Sequence, residues 1–222
     1  MQAAAQEAGH WVQLSSAGAY GPRRDGLIAE EAQSRPVGMY EETKTASDEF
    51  VSEGSARGAF SHTNLRPSNV YGSEMTNRSL FQMIALVERG LFFFIRKAGS
   101  SANYVHVDNV AEELVFCGAL SAARGRTYIL SDYCTLEQMV QTIAKALGKN
   151  GPWLRLPELP VRPLRQVGRS SYGVPLSESR VNALVSRVVY SAKRIQHELG
   201  NRTLVSMEEG LRQMVAAWRA GR

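Results

Sequence analysis

The stretch Met39-Tyr40-Glu41-Glu42-Thr43-Lys44 places a tyrosine four residues before a lysine. The run from Met39 to Glu53 contains no glycine or proline, so we expect a helix there. Residues four apart on a helix lie on one face, one turn apart. An ammonium group beside a phenol favours the phenolate, which suits the phenol to proton transfer. Taken alone, the pair also fits an exposed helix face without any chemistry.

Two other motifs flank this helix along the chain. Residues 11–21 read W-V-Q-L-S-S-A-G-A-Y-G, which indicates a short apolar strand followed by two serines and a glycine-rich turn. Residues 63–72 read T-N-L-R-P-S-N-V-Y-G, which indicates a second strand that runs into a polar loop. Three ordered motifs at these intervals carry much more information than the tyrosine and lysine alone.

In this order the motifs resemble the extended short-chain dehydrogenase/reductases, specifically the NAD-dependent epimerase/dehydratase family that works on nucleotide sugars. The family pattern is S-S-A-x-x-Y-G after a strand, then Y-x-x-x-K, then L-R-x-x-N-x-Y/V-G. The corresponding residues here are 15–21, Tyr40 with Lys44, and 65–72. Residues 104–111 resemble a further family segment, Y-[IV]-H-V-x-D-[VL]-A, with Asn109 in place of its Asp.

The resemblance implies an α/β fold: a partial doubly wound, Rossmann-like parallel sheet whose first strands are missing, with a small α/β substrate-binding C-terminal region. Residues 1–72 would form the C-terminal part of the NAD-binding domain and carry the catalytic residues. Residues 73–222 would hold the remaining sheet elements and the substrate-binding region. The family's dinucleotide site opens with a glycine-rich turn at a helix N-terminus. This sequence has no G-x-G pair, so we expect a fragment, a truncated gene product or a chain whose partner supplies the first half.

The resemblance also assigns roles at the cofactor end of the site. Tyr40 would be the general acid/base for the sugar hydroxyl, while the nicotinamide of NAD or NADP takes or returns hydride. Lys44 would bind the nicotinamide ribose and favour the Tyr40 phenolate. Ser16 would share the substrate hydroxyl's hydrogen bond, and Ser15 would lie against the nicotinamide. Further cofactor contacts are expected from the pair Pro67 and Ser68.

Substrate contacts are expected farther along the chain. The resemblance places Asn69 at the substrate diphosphate, although a turn residue fits this position equally well. Asn77 would reach the substrate from a helix N-terminus. Several family members carry Arg near the diphosphate where this chain has Ala102. Arg180, or alternatively Arg187, could supply the positive charge instead, although an ordinary surface arginine fits each of these positions better.

Three functions therefore remain open. The first is an NAD(P)-dependent epimerase or dehydratase of nucleotide sugars, similar to UDP-glucose 4-epimerases. The second is a related 3-beta-hydroxysteroid or flavonol-type dehydrogenase, which the Ala102 position favours. The third is a non-catalytic remnant that binds a partner chain or an anion. A homodimer, or association with a missing N-terminal half, is expected in each case.

Composition narrows the class of protein. The net charge of +5 is uneven: residues 1–150 hold 14 basic and 16 acidic side chains (−2), and residues 151–222 hold 12 and 5 (+7). A basic segment attracts phosphates, but no basic and aromatic residues interleave, so nucleic acid is not an expected partner. The sequence shows no signal peptide, no membrane span and no metal-type spacing of its two cysteines. We expect free thiols, no bound metal and a cytoplasmic protein.

The remaining pattern predicts alternating strands and helices. Apolar periodicity indicates helices over residues 77–89, 107–120, 135–147, 191–199 and 206–218. We expect residues 1–10 to end a helix, residues 22–37 to form a loop, and Asp108 or Asn109 to cap the helix over 107–120. Ser206 and Glu209 have the spacing of a capping box, and Tyr190 is expected to pack before the penultimate helix.

Overall fold

The computed structural model describes residues 9–58, 60–75, 79–95, 97–157, 184–200 and 203–221. The strands are β1 His10–Leu14, β2 Asp25–Ile28, β3 Ser61–Pro67, β4 Asn69–Tyr71, β5 Phe94–Ile95, β6 Ser101–His106, β7 Arg126–Leu130, β8 Asp132–Thr135, β9 Arg155–Leu156 and β10 Arg187–Tyr190. The α-helices are α1 Met39–Ala56, α2 Ser79–Glu88, α3 Val107–Ala119, α4 Leu136–Ala146, α5 Lys193–Leu199 and α6 Met207–Ala220.

A parallel sheet with the strand order β1-β3-β7 forms the part of the fold that carries the first two motifs. Helix α1 connects β1 to β3 and packs against β3, while α3 packs against β1 and β3. Parallel neighbours joined through a helix are the building unit of a doubly wound sheet. The α/β class and the Rossmann-like arrangement expected from the sequence are therefore confirmed. Because β7 joins this sheet, elements on both sides of residue 72 share it.

A second sheet has the order β4-β6-β8, in which β4 and β6 are parallel and β6 and β8 are antiparallel. Helices α2, α4 and α6 pack together beside it around the larger apolar core. That core includes Leu80, Ile84, Met139, Ile143 and Leu211, each at most 3% exposed. Apolar side chains at three- and four-residue spacing bring these helices to one core.

Two short parallel ladders join strands that lie far apart in the sequence. Strands β2 and β10 pair over residues 25–28 and 187–190, so the stretch 22–37 is not entirely a loop. Strands β5 and β9 pair over residues 94–95 and 155–156. A partner far along the chain stabilises each short strand, and local sequence does not show such a partner. For the same reason the sequence did not predict β8, which pairs with β6.

The cap expected for α3 was wrong. His106 is the N-cap, and its Nδ1 accepts from the Asp108 backbone N–H at 3.3 Å. The Asn109 side chain instead forms two bonds with the Val205 backbone, donating to its carbonyl and accepting from its N–H, both at 2.9 Å. Asn109 therefore ties α3 to the segment that enters α6. Ser206 caps α6 by accepting from the Glu209 N–H at 3.2 Å, which is one half of the expected capping box. The Glu209 carboxylate pairs with Arg212 at 3.3 Å.

Helix α1 also continues past its expected end near Glu53 and includes Gly54. The two cysteines, Cys117 and Cys134, are free thiols, as predicted. None of the helices within the described ranges has the length and hydropathy needed to cross a bilayer. The helix expected over residues 1–10 lies outside the described residues apart from Gly9 and His10, and His10 begins β1.

Candidate functional site

Each strand of the β1-β3-β7 sheet is followed directly by a serine. Ser15 follows β1, Ser68 follows β3, and Ser131 follows β7. The backbone ties these ends together, since Ser15 N–H donates to the Leu65 carbonyl at 2.8 Å and Ser68 N–H donates to the Leu130 carbonyl at 2.9 Å. Ligands of open α/β sheets bind beyond the carboxyl ends of the strands. The carboxyl edge of this sheet is therefore the expected location of a ligand-binding site.

The first two turns of α1 bring Tyr40 and Lys44 to this edge. Lys44 Nζ donates to the Leu14 carbonyl at 2.9 Å, which joins α1 to the last residue of β1. The same Nζ lies 5.9 Å from the centre of the Tyr40 ring. Tyr40 is 58% exposed, and Leu14, Val37 and Met39 are also exposed. A phenol, an ammonium group and an uncovered apolar surface thus meet at the end of β1.

The two serines after β1 have different environments. Ser15 is 3% exposed and donates to Asp48 Oδ2 at 2.7 Å, so its hydroxyl is directed into the protein. Ser16 is half-buried, and its Oγ accepts from the Gly18 N–H at 3.1 Å as the cap of a short 3-10 helix over Ala17–Tyr20. That bond uses the Ser16 oxygen as an acceptor, so its O–H can still donate to a ligand.

Sequence reasoning missed two charged residues next to these groups. Asp48 lies on α1 one turn beyond Lys44, and Arg66 lies near the end of β3. Arg66 donates to Asp48 Oδ2 from Nε at 3.1 Å and from Nη2 at 3.0 Å. The Arg66 guanidinium carbon also lies 5.0 Å from the centre of the Tyr20 ring. The four-residue step from Lys44 to Asp48 was the available signal, because it places both on one helix face.

Three of the expected cofactor and substrate residues, Pro67, Ser68 and Asn69, lie at the same edge. Pro67 ends β3 and is buried, and the buried Ser68 Oγ has no hydrogen-bond partner among the described residues. Asn69 belongs to β4 rather than to a turn, and its side-chain amide donates to the Asn103 carbonyl at 3.0 Å. Asn77 and Arg180 lie outside the described residues. Arg187 donates to the Ala98 carbonyl at 2.9 Å.

Neighbouring aromatic and histidine side chains have packing roles. His106 is 4% exposed and lies edge-to-face with Tyr71, their ring centres 5.3 Å apart. Burial raises the pKa of Tyr71 well above its usual value. Ala102 is 3% exposed within β6, so a long charged side chain there would have to displace packed neighbours. Tyr190 packs, as predicted, beside the apolar cluster around Tyr20.

A cavity of about 390 Å³ lies at the end of β7 and β10. Its hydroxyl-bearing lining residues are Ser131, Tyr133, Tyr190, Ser191, Thr203 and Ser206. Asp132 and Lys193 contribute charged groups, and burial raises the pKa of the Asp132 carboxyl. Because Ser131 follows β7 as Ser15 follows β1, the cavity lies at the sheet edge that carries Tyr40 and Lys44.

The chain is similar in sequence to two curated proteins. Over 135 residues the chain is 29% identical to short-chain dehydrogenase/reductase family 42E member 1 of Xenopus laevis, covering 54% of this chain and 35% of the relative. Over 213 residues it is 22% identical to 3beta-hydroxysteroid-dehydrogenase/decarboxylase isoform 2 of Arabidopsis thaliana, covering 85% of this chain and 37% of the relative. The chain thus spans little more than a third of the length of these curated relatives.

A solved structure with the same fold is that of UDP-glucuronic acid 4-epimerase from Bacillus cereus in complex with NAD. It superposes with a TM-score of 0.69 at 13% identity and covers 95% of this chain and 61% of its own. Residues 1–130, which contain the Tyr40 and Lys44 helix and the serines after β1 and β3, match the model of the NAD dependent epimerase/dehydratase family. The chain belongs to the NAD-dependent epimerase/dehydratase family.

Proposed function

We propose that this chain carries the catalytic part of an NAD(P)-dependent epimerase or dehydratase of nucleotide sugars, similar to UDP-glucose 4-epimerases. The observation that carries the proposal is the meeting of Tyr40, Lys44 and Ser16 at the end of β1. The contact from Lys44 to the Leu14 carbonyl holds the ammonium group within 5.9 Å of the phenol ring. A proton-transferring group needs such a fixed neighbour and an open approach for its substrate, and Tyr40 is 58% exposed.

Each of these residues has one task in the proposed reaction. Tyr40 accepts the proton of a substrate hydroxyl and returns it. The Lys44 ammonium, held beside the Leu14 carbonyl, is available to a ribose hydroxyl of the cofactor. Ser16 donates its O–H to the same substrate oxygen. Asn69 at the start of β4, together with Arg180 and Asn77, contributes to binding the rest of the substrate.

The residues present fit the nicotinamide end of the cofactor. Lys44 and the exposed apolar surface of Leu14 offer one cation and a face for a flat ring. The Ser68 Oγ, which is buried and has no hydrogen-bond partner among the described residues, lies at the neighbouring strand end. Bound there, NAD or NADP supplies hydride exchange with the substrate carbon. The sequence has no glycine pair for the pyrophosphate. Isothermal titration of this chain with NAD should therefore give weak binding, and saturation at low micromolar NAD would contradict that expectation.

A second candidate function is oxidation of a 3-beta-hydroxysteroid or a related ring alcohol. The curated relatives that match by sequence favour it, since one carries hydroxysteroid dehydrogenase in its name. The exposed apolar side chains around Tyr40 also suit an apolar ring. The hydroxyl-rich cavity beyond β7 favours a sugar instead, because its hydroxyls can bond several substrate oxygens.

Ligand-detected NMR distinguishes these candidates without requiring turnover. Saturation transfer to UDP-glucose but not to a 3-beta-hydroxysteroid would support the nucleotide-sugar function. Saturation transfer to the steroid but not to UDP-glucose would support the hydroxysteroid dehydrogenase function. Turnover of the bound ligand with added NAD is then followed in the wild-type chain and in Tyr40→Phe. Binding of neither ligand would favour a remnant that associates with another chain.

The proposal also includes a cytoplasmic location, because free thiols are typical of reducing compartments.

A further inference from the structure

The charged pair next to the proposed site is more deeply buried than the site itself. The side chains of Arg66 and Asp48 are 11% and 3% exposed. A single carboxylate oxygen, Asp48 Oδ2, accepts from Ser15 Oγ, Arg66 Nε and Arg66 Nη2 at 2.7 to 3.1 Å. These three bonds connect α1 with the end of β1 and the end of β3.

A buried ion pair is a poor means of stabilising a fold. Removing two charges from water costs about as much as their attraction returns, and an apolar pair of the same volume is often no less stable. What such a pair supplies is fixed geometry, because an arginine fork and a carboxylate bond in few orientations. The buried pair of Arg66 and Asp48 is therefore better explained by the groups that it holds in place than by a gain in stability.

The groups that the pair positions are those of the proposed site. Asp48 lies one helical turn beyond Lys44 on the same face of α1. Its bond from Ser15 fixes the residue directly after Leu14, and the Leu14 carbonyl is the acceptor of the Lys44 ammonium. The distance from Lys44 Nζ to the end of β1 thus depends on the bonds that Asp48 makes one turn away.

Further contacts hold Arg66 from its other side. Its guanidinium carbon lies 5.0 Å from the centre of the Tyr20 ring, and the Tyr20 hydroxyl donates to the Glu30 carbonyl at 3.4 Å. The Glu30 carboxylate accepts from the Ile129 N–H of β7 at 2.9 Å. The network therefore reaches all three strands of the sheet and fixes the loop after β1 as well as α1.

We propose that Asp48 and Arg66 are a positioning pair that holds Ser15 and α1 against the strand ends, and so fixes Lys44 beside Leu14 and Tyr40. Ser15 then acts through Asp48 rather than by touching the cofactor, while Ser16 keeps the substrate contact. This assignment rests on the proposed function for its purpose, but the geometry it predicts is measurable without substrate or cofactor.

The test is the rate at which an amine-specific acetylating reagent modifies Lys44, measured by peptide mass spectrometry relative to exposed Lys145 of α4 in the same sample. In Asp48→Asn the Lys44 rate should rise roughly fivefold, which corresponds to the loss of about one net hydrogen bond. Arg66→Lys removes the fork and should raise the rate similarly. Asp48→Glu keeps the carboxylate and should return most of the protection.

Two controls separate positioning from general destabilisation. Ile143→Ala opens the other core, where Ile143 is fully buried, and should lower the melting temperature without changing the Lys44 to Lys145 ratio. Ser15→Ala keeps both charges and removes only the bond between Asp48 and the end of β1, so a smaller rise in the Lys44 acetylation rate is expected. This variant tests the proposal even if the Asp48 variants do not fold. An unchanged ratio in folded Arg66→Lys and Ser15→Ala, or an equal rise in Ile143→Ala, would overturn the proposal. Neither outcome depends on whether the chain turns over a nucleotide sugar.

Discussion

Tyr40 carries a hydroxyl that packing does not require, because its side chain is 58% exposed at the first turn of α1. Tyr40→Phe should therefore leave the free energy of unfolding nearly unchanged. In the holoenzyme, with the dinucleotide-binding half supplied, it should lower kcat by roughly 10²- to 10⁴-fold, as expected for loss of a general acid/base. Thr43→Val is a matched control that removes an exposed hydroxyl from the same turn. A kcat near the wild-type value in Tyr40→Phe would show that another group transfers the proton.

Glu113 of α3 is a second residue whose chemistry is measurable by itself. It is 2% exposed, one of its oxygens has no partner among the described residues, and burial raises its pKa from an ordinary 4.5 to about 7. A raised carboxyl pKa means that ionisation disfavours the folded state. The cost is absent below pH 4.5, grows between 4.5 and 7, and reaches on the order of 3 kcal/mol above that.

Glu113→Gln should consequently be more stable than the wild type at pH 8 and about equal to it at pH 4.5. Urea unfolding at both values measures the difference, with Glu53→Gln on the exposed face of α1 as the control. The same gain at both pH values, or no gain at pH 8, would mean that ionised Glu113 finds a partner in solution.

Helix α6 depends on one small residue where it crosses the second sheet. A Cβ added to Gly210 would lie 2.3 Å from the Tyr71 hydroxyl oxygen and 3.0 Å from His106 Cδ2. Gly210→Ala should therefore destabilise the protein by roughly 1–3 kcal/mol through overpacking. Gly118→Ala on α3 is the matched control, because its Cβ would meet only Val12 at 3.8 Å, and it should stabilise by up to about 1 kcal/mol. Thermal unfolding compares the two, and equal shifts would show that α6 moves to admit the methyl group.

Elements with their own periodicity could be predicted from the sequence, while those that need a distant partner could not. The helices α1 to α6 agree with their expected places within a few residues, because apolar spacing and caps such as Thr135 are local signals. Strand β2 reads D-G-L-I and has no strand pattern of its own, and it forms because residues 187–190 lie beside it. The same limit applies to the site: Tyr40 and Lys44 are neighbours on one helix, whereas Arg66 meets Asp48 only in the folded chain.

At the scale of the whole molecule, the described part of the β1-β3-β7 sheet leaves β1 at an edge. Ser15 N–H bonds to β3, so by alternation the N–H groups of Val12 and Leu14 point away from β3. Leu14 is 41% exposed there, and Phe50 of α1 is 60% exposed. Unpaired backbone groups beside apolar side chains form a template for a second strand. We expect this chain to dimerise through β1 or to aggregate, and two-fold pairing would make the two β1 strands antiparallel.

Light scattering after size-exclusion chromatography, over a concentration series, measures this association. Leu14→Lys should shift the population toward the monomer, because a charge at an edge strand opposes pairing. Val115→Lys adds the same charge to an exposed apolar position on α3 and should not shift it. Amide exchange along residues 11–14 should slow as the dimer forms. A monomer at every concentration with slow exchange in that stretch would mean that another part of the chain already covers the edge, and the pairing argument would fail.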